Sequence, residues 1–108
     1  MLLLLAFSFS ISSYTAHAQL IQQRFLPGNG ERGVTGAQQV YPGIVINKRV
    51  MRLSPGARIY DRSNRTIVHG HLLPGTEVFY AKETSGDILR IYILTEQEIV
   101  ALRKAGKR

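Results

Sequence analysis

A chain of 108 residues has room for one domain, and its 14 Lys+Arg against 7 Asp+Glu leave a net charge of +7. That asymmetry favours polyanionic partners such as nucleic acid, anionic lipid head groups or acidic glycans. Cysteine is absent, which excludes disulfide scaffolds, thiolate zinc sites, thiol nucleophiles and a lipidated cysteine; tryptophan is absent too, which limits the stacking platforms open to a nucleic-acid or sugar site.

Residues 1–18 open on Leu2-Leu3-Leu4-Leu5-Ala6-Phe7 and close on Ala16-His17-Ala18, an A-x-A pattern that predicts a secretory signal peptide cleaved before Gln19. The apolar run is too short for a transmembrane span, which needs roughly twenty residues. No basic residue precedes the leucines, and a start codon upstream of Met1 would supply one. Ser8, Ser10, Ser12, Ser13 and Thr15 argue against a buried helix here, because they dilute any apolar face.

Residues 19–41 are polar and glycine-punctuated without a sustained period, so they read as a flexible lead-in. Within them Gly28-Asn29-Gly30-Glu31-Arg32-Gly33 satisfies G-x-G-x-x-G, but Pro27 precedes it and Val34-Thr35-Gly36 follows. A dinucleotide site needs a buried strand before the first glycine and a helix after the last, so the match carries no phosphate site.

Every proline is followed by glycine, at Pro27-Gly28, Pro42-Gly43, Pro55-Gly56 and Pro74-Gly75, which is the chemistry of type II turns. Between these marks the sequence predicts strands over residues 44–47, with an extension through Val50-Met51, and over 57–60, 66–69, 78–82 and 88–94. Residues 61–65 and 84–87 are short enough, and rich enough in Ser, Asn, Gly and Asp, for hairpins. Leu53-Ser54-Pro55-Gly56-Ala57-Arg58-Ile59-Tyr60 aligns with Leu72-Leu73-Pro74-Gly75-Thr76-Glu77-Val78-Phe79 as L-x-P-G-x-x-[IV]-aromatic, a repeat of two turn-to-strand units. The most apolar stretch, Ile88 onward, leads without a break to Thr95, an N-cap with Glu98 three positions on, and Ala105-Gly106 ends the helix that follows. The expected fold is mainly β: a small antiparallel sheet or half-open barrel of the SH3-like or OB-like kind over residues 42–105, closed by a short C-terminal helix, with residues 106–108 as a basic tail.

Arg52-Leu53-Ser54-Pro55-Gly56-Ala57-Arg58-Ile59-Tyr60-Asp61, then Asn64-Arg65-Thr66-Ile67-Val68 and Arg90-Ile91-Tyr92-Ile93-Leu94-Thr95 form a pattern that resembles a group of small exported proteins of Gram-negative bacteria with no assigned activity. The resemblance covers about residues 51–98, and that group often carries tryptophan where this chain has Tyr92. It implies a periplasmic or secreted β-rich domain and supplies no site to carry over.

Lys48, Arg49, Arg52, Arg58, Arg62 and Arg65 gather six positive charges against Asp61 alone, while Glu77, Glu83, Asp87, Glu96 and Glu98 lie downstream. We therefore take Arg49, Arg52, Arg58, Arg62 and Arg65 as the candidate binding residues, set against the plainer role of basic residues that protect a sheet edge. His69-Gly70-His71 puts two imidazoles on one side of a regular strand, but a third metal ligand is not evident and Gly70 favours a turn. Asp61, Ser63 and His69 or His71 offer the residue types of a hydrolase without its nucleophile elbow or oxyanion loop. Asn64-Arg65-Thr66 fits a glycosylation sequon and reads more simply as a turn, while Tyr60, Phe79, Tyr80 and Tyr92 read as core or cross-strand partners. The sequence thus points to a non-enzymatic, cofactor-free envelope or secreted module that binds an anionic envelope component or a protein partner. A nucleic-acid-binding small β-barrel is the alternative, and so small a core makes a homo-oligomer plausible.

Overall fold

A computed structural model describes residues 24–106; the expected signal peptide, the first residues of the lead-in and the last two of the tail lie outside the described residues. The chain forms β1 (Glu31–Val34), β2 (Gly43–Ile46), β3 (Arg49–Tyr60), β4 (Thr66–Ile67), a 3-10 turn (His69–His71), β5 (Glu77–Lys82), β6 (Ile88–Ile93) and α1 (Glu96–Lys104). The protein is mainly β, with strands in the order β1-β5-β6-β3-β2 and β4 paired to β3. The sheet curls into an open half-barrel whose two edges touch where Thr35 bridges Ile46. Four ladders are antiparallel and one, β3 with β6, is parallel. A parallel neighbour needs a long crossover, and here β4, the 3-10 turn and β5 provide it.

Alternation along the strands sends residues to two faces. Ile44, Ile46, Leu53, Ile59, Val78, Tyr80, Ile88, Ile91 and Ile93 fill the inside of the curl. On the outer face Phe79, Leu94 and Ile99 form a second cluster, with Leu26, Tyr92 and Leu102 packed against it. The helix that carries Ile99 starts as its sequence requires. Thr95 Oγ1 accepts from the Glu98 N–H at 3.1 Å, and Glu98 Oε1 accepts from the Thr95 N–H at 3.0 Å, a complete capping box.

Three expectations need correction. The lead-in ends earlier than residue 41, because β1 pairs along its whole length with β5 and Thr35 is buried. Gly30 and Gly33 hid this strand: a Cβ at Gly30 would fall on the Phe79 ring and one at Gly33 on Ile46, so the pattern shows glycine where a neighbour's side chain already fills the space. Of the four Pro-Gly pairs only Pro74-Gly75 has its glycine in the left-handed region (φ +78°). Pro55-Gly56 lies inside β3, where the register against β6 shifts between Leu53 and Arg58. Finally, the strand expected over 66–69 stops at Ile67, and His69 and His71 lie in the 3-10 turn. The hairpin turns at 61–65 and 84–87 connect antiparallel neighbours as the sequence predicts.

Candidate functional site

The parallel pairing of β3 with β6 decides which basic residues meet. Arg58 sits in register with Arg90, Ile59 with Ile91 and Tyr60 with Tyr92. Ile59 and Ile91 point into the core, so the Arg58–Arg90 and Tyr60–Tyr92 rows share the outer face, about 6.6 Å apart along the strands. The two tyrosine rings stack with centroids 5.1 Å apart and planes 12° from parallel. Phe79 of β5 is in register with Tyr92 from the other side. The sequence repeat thus places an aromatic residue on each flank of Tyr92.

Among the described residues three ion pairs form, Arg24–Glu98, Arg32–Glu77 and Arg52–Asp87, and none includes Arg58 or Arg90. Among the described residues Arg90 Nη1 donates to its neighbour's carbonyl, that of Leu89, at 3.0 Å. Like charges directly opposite one another in a sheet repel, and a bound phosphate or carboxylate would relieve that repulsion while accepting two charge-assisted hydrogen bonds.

Beyond the tyrosine row the face is closed by Arg24. Its Nε and Nη2 donate to the two Glu98 oxygens at 2.9 and 3.0 Å, Nη2 also to the Ile93 carbonyl at 2.6 Å, and Nη1 to the Asp61 carbonyl at 2.8 Å and to Asn64 Oδ1 at 3.3 Å. The guanidinium also lies over the Tyr92 ring, 5.2 Å from its centroid. Burial alone would push the Glu98 carboxyl up, but hydrogen bonds from Arg24 and the Thr95 backbone, with the Arg24 charge, outweigh it and hold the group below its ordinary value.

The five arginines singled out in the sequence do not form one surface. Arg58 is on the face just described. Arg62 is at the end of the same strip, its Nε bound to the Leu94 carbonyl at 2.9 Å. Arg65 is exposed in the β3–β4 hairpin, where Asp61 Oδ1 accepts from the backbone N–H of both Ser63 and Arg65 at 2.9 Å. Arg49 and Arg52 lie on the far side of the Pro55-Gly56 irregularity, with Lys82 and Asp87 in an open groove of about 570 Å³. There Arg52 pairs with Asp87 at 3.2 Å while remaining 66% exposed. Arg49 acts on Tyr80: burial raises the tyrosine above its ordinary value, the Glu31 carboxylate that accepts from its hydroxyl raises it further, and Arg49 opposes both.

Sequence reasoning missed Arg90, Arg24 and Lys82. Arg90 was visible as the one charge inside an apolar strand, a position that a half-buried outer face permits. Two of the other candidates have structural roles: His69 Nε2 lies 2.7 Å from the Gly43 carbonyl oxygen, edge-on to Tyr41, and Asp61 organises its own hairpin, while His71 is exposed. No group of three or more His, Cys, Asp or Glu suited to a metal ion occurs among the described residues, and no described helix is long and apolar enough to cross a membrane. The chain matches no family model, no curated protein and no solved structure, so the reading of this face rests on its own geometry.

Proposed function

We propose that the domain is a non-enzymatic module, exported to the periplasm or beyond, that binds an anionic partner on the Arg58–Arg90 face. One observation carries the reading: two arginines stand side by side in a parallel ladder, and no carboxylate pairs with either among the described residues. Arg62 and Arg65 extend the positive field along the same end of β3, and Arg49, Arg52 and Lys82 supply a second basic site in the open groove. Single-stranded nucleic acid is the less favoured anion, because Tyr60 and Tyr92 already stack on each other and Arg24 covers Tyr92, which leaves little free ring face for bases.

The test compares binding of heparin, lipopolysaccharide and single-stranded DNA to the wild-type protein and to a chain carrying Arg58→Glu and Arg90→Glu. The reading expects the acidic envelope polymers to lose at least about tenfold in affinity, with an Arg49→Glu, Arg52→Glu chain affected less. Equal binding by all three chains would remove the assignment. N-terminal sequencing of the protein from its host should begin at Gln19, and an uncleaved cytosolic protein would move the proposal toward nucleic acid.

A further inference from the structure

Residues 24–30 lie outside every strand, yet two of their side chains are held as a ligand is held. Arg24 enters a site in which all five guanidinium N–H donors find acceptors: both Glu98 oxygens, the Asp61 and Ile93 carbonyls and Asn64 Oδ1. Leu26 packs on the Phe79, Leu94 and Ile99 cluster. Phe25 between them is 99% exposed. The recognised pattern is therefore Arg-x-Leu, and every acceptor for it comes from the domain that begins at β1. Two of the acceptors are also held by contacts that do not involve Arg24: the capping box holds Glu98, and the Asn64 N–H donates to the Asp61 carbonyl.

We propose that this site is a receptor for an Arg-x-Leu segment, filled in cis by residues 24–26 and open to the same segment of a second copy of the chain. Exchange of such a segment between two copies needs no new contact, only the same contacts made between molecules, which is the general route to swapped dimers. The cis segment competes at an effective concentration on the order of millimolar, so exchange becomes visible when the cis anchors are removed.

The experiment uses full chains. An acceptor chain carries Arg24→Ala and Leu26→Ala with its receptor intact, and a donor chain carries Glu98→Gln with its segment intact. A labelled peptide of residues 24–30 should bind the acceptor at least about tenfold more tightly than it binds wild type or a chain that also carries Glu98→Gln. Acceptor and donor, each monomeric alone, should form a one-to-one complex on mixing, read by sedimentation. Equal peptide binding to all chains, or no complex between two folded chains, overturns the proposal. Should the acceptor lose its fold, a chain carrying Arg24→Ala alone, with Leu26 kept, is titrated with millimolar 1-ethylguanidinium and with neutral 1-ethylurea. A saturable rise in melting temperature with the cation alone supports the receptor, and identical behaviour of the two overturns it.

Discussion

The guanidinium of Arg24 and the carboxylate of Glu98, 74 positions apart in the chain, meet through two hydrogen bonds of 2.9 and 3.0 Å with only 10% and 16% of their side chains exposed. Two nearly buried opposite charges depend on each other. Arg24→Ala leaves Glu98 without its cation and should cost about 2–3 kcal/mol in a urea titration. Arg24→Lys keeps the charge but cannot reach five acceptors with three donors, so it should recover less than half of that loss.

The same pair sets a pH dependence. The folded Glu98 carboxyl lies below its ordinary 4.5, so its contribution is fully present above that value and is lost as pH falls through 4.5 toward the lower folded pKa. Urea midpoints measured between about pH 7 and pH 3 should fall at the acid end more steeply for wild type than for a Glu98→Gln chain. Parallel profiles would mean that Glu98 titrates alike in the folded and unfolded chains.

The glycine run before β1 offers an internal control. Gly30→Ala drives a methyl into the buried Phe79 ring and should cost about 1–3 kcal/mol, whereas the methyl added by Gly28→Ala meets no atom of the described residues within 4 Å and should change stability by less than about 0.5 kcal/mol. The two variants side by side in one denaturation series separate packing from helix or strand propensity.

Asn47 and Lys48 join β2 to β3 with both residues in the left-handed region, at φ 54° and 66°, the geometry of a type I′ turn. Lysine there carries a steric cost of about 1 kcal/mol that glycine does not. Lys48→Gly should therefore raise stability by about that amount in chemical denaturation, and a loss would show that the turn is formed differently.

These features were unequally legible in the sequence. Thr95 and Glu98 announced α1 because a capping box is local, and the apolar run from Ile88 announced β6 because Ile88, Ile91 and Ile93 are core residues. The L-x-P-G repeat foreshadowed the aromatic flanks of Tyr92, although one copy proved to be a strand irregularity and the other a turn. Gly33 concealed β1, since the side chain that fills its place belongs to Ile46. Arg24 gave no signal at all: its acceptors lie 37 to 74 residues away, and in a polar segment it reads like any solvated cation. The pairing of Arg58 with Arg90 depends on a parallel ladder, which local pattern does not specify, so the sequence could name the charged stretch of β3 but not its partner.

If Arg58 and Arg90 together neutralise anionic groups of the partner, the salt dependence of heparin binding must carry the contribution of both. Each phosphate or sulfate contact adds about 0.7–0.9 to the slope of log affinity against log salt. Replacing both arginines by alanine should lower that slope by about 1.5 while the urea midpoint of the free protein stays level or rises, because two like charges have been removed. An unchanged slope in a folded double variant would mean that neither arginine meets the anion.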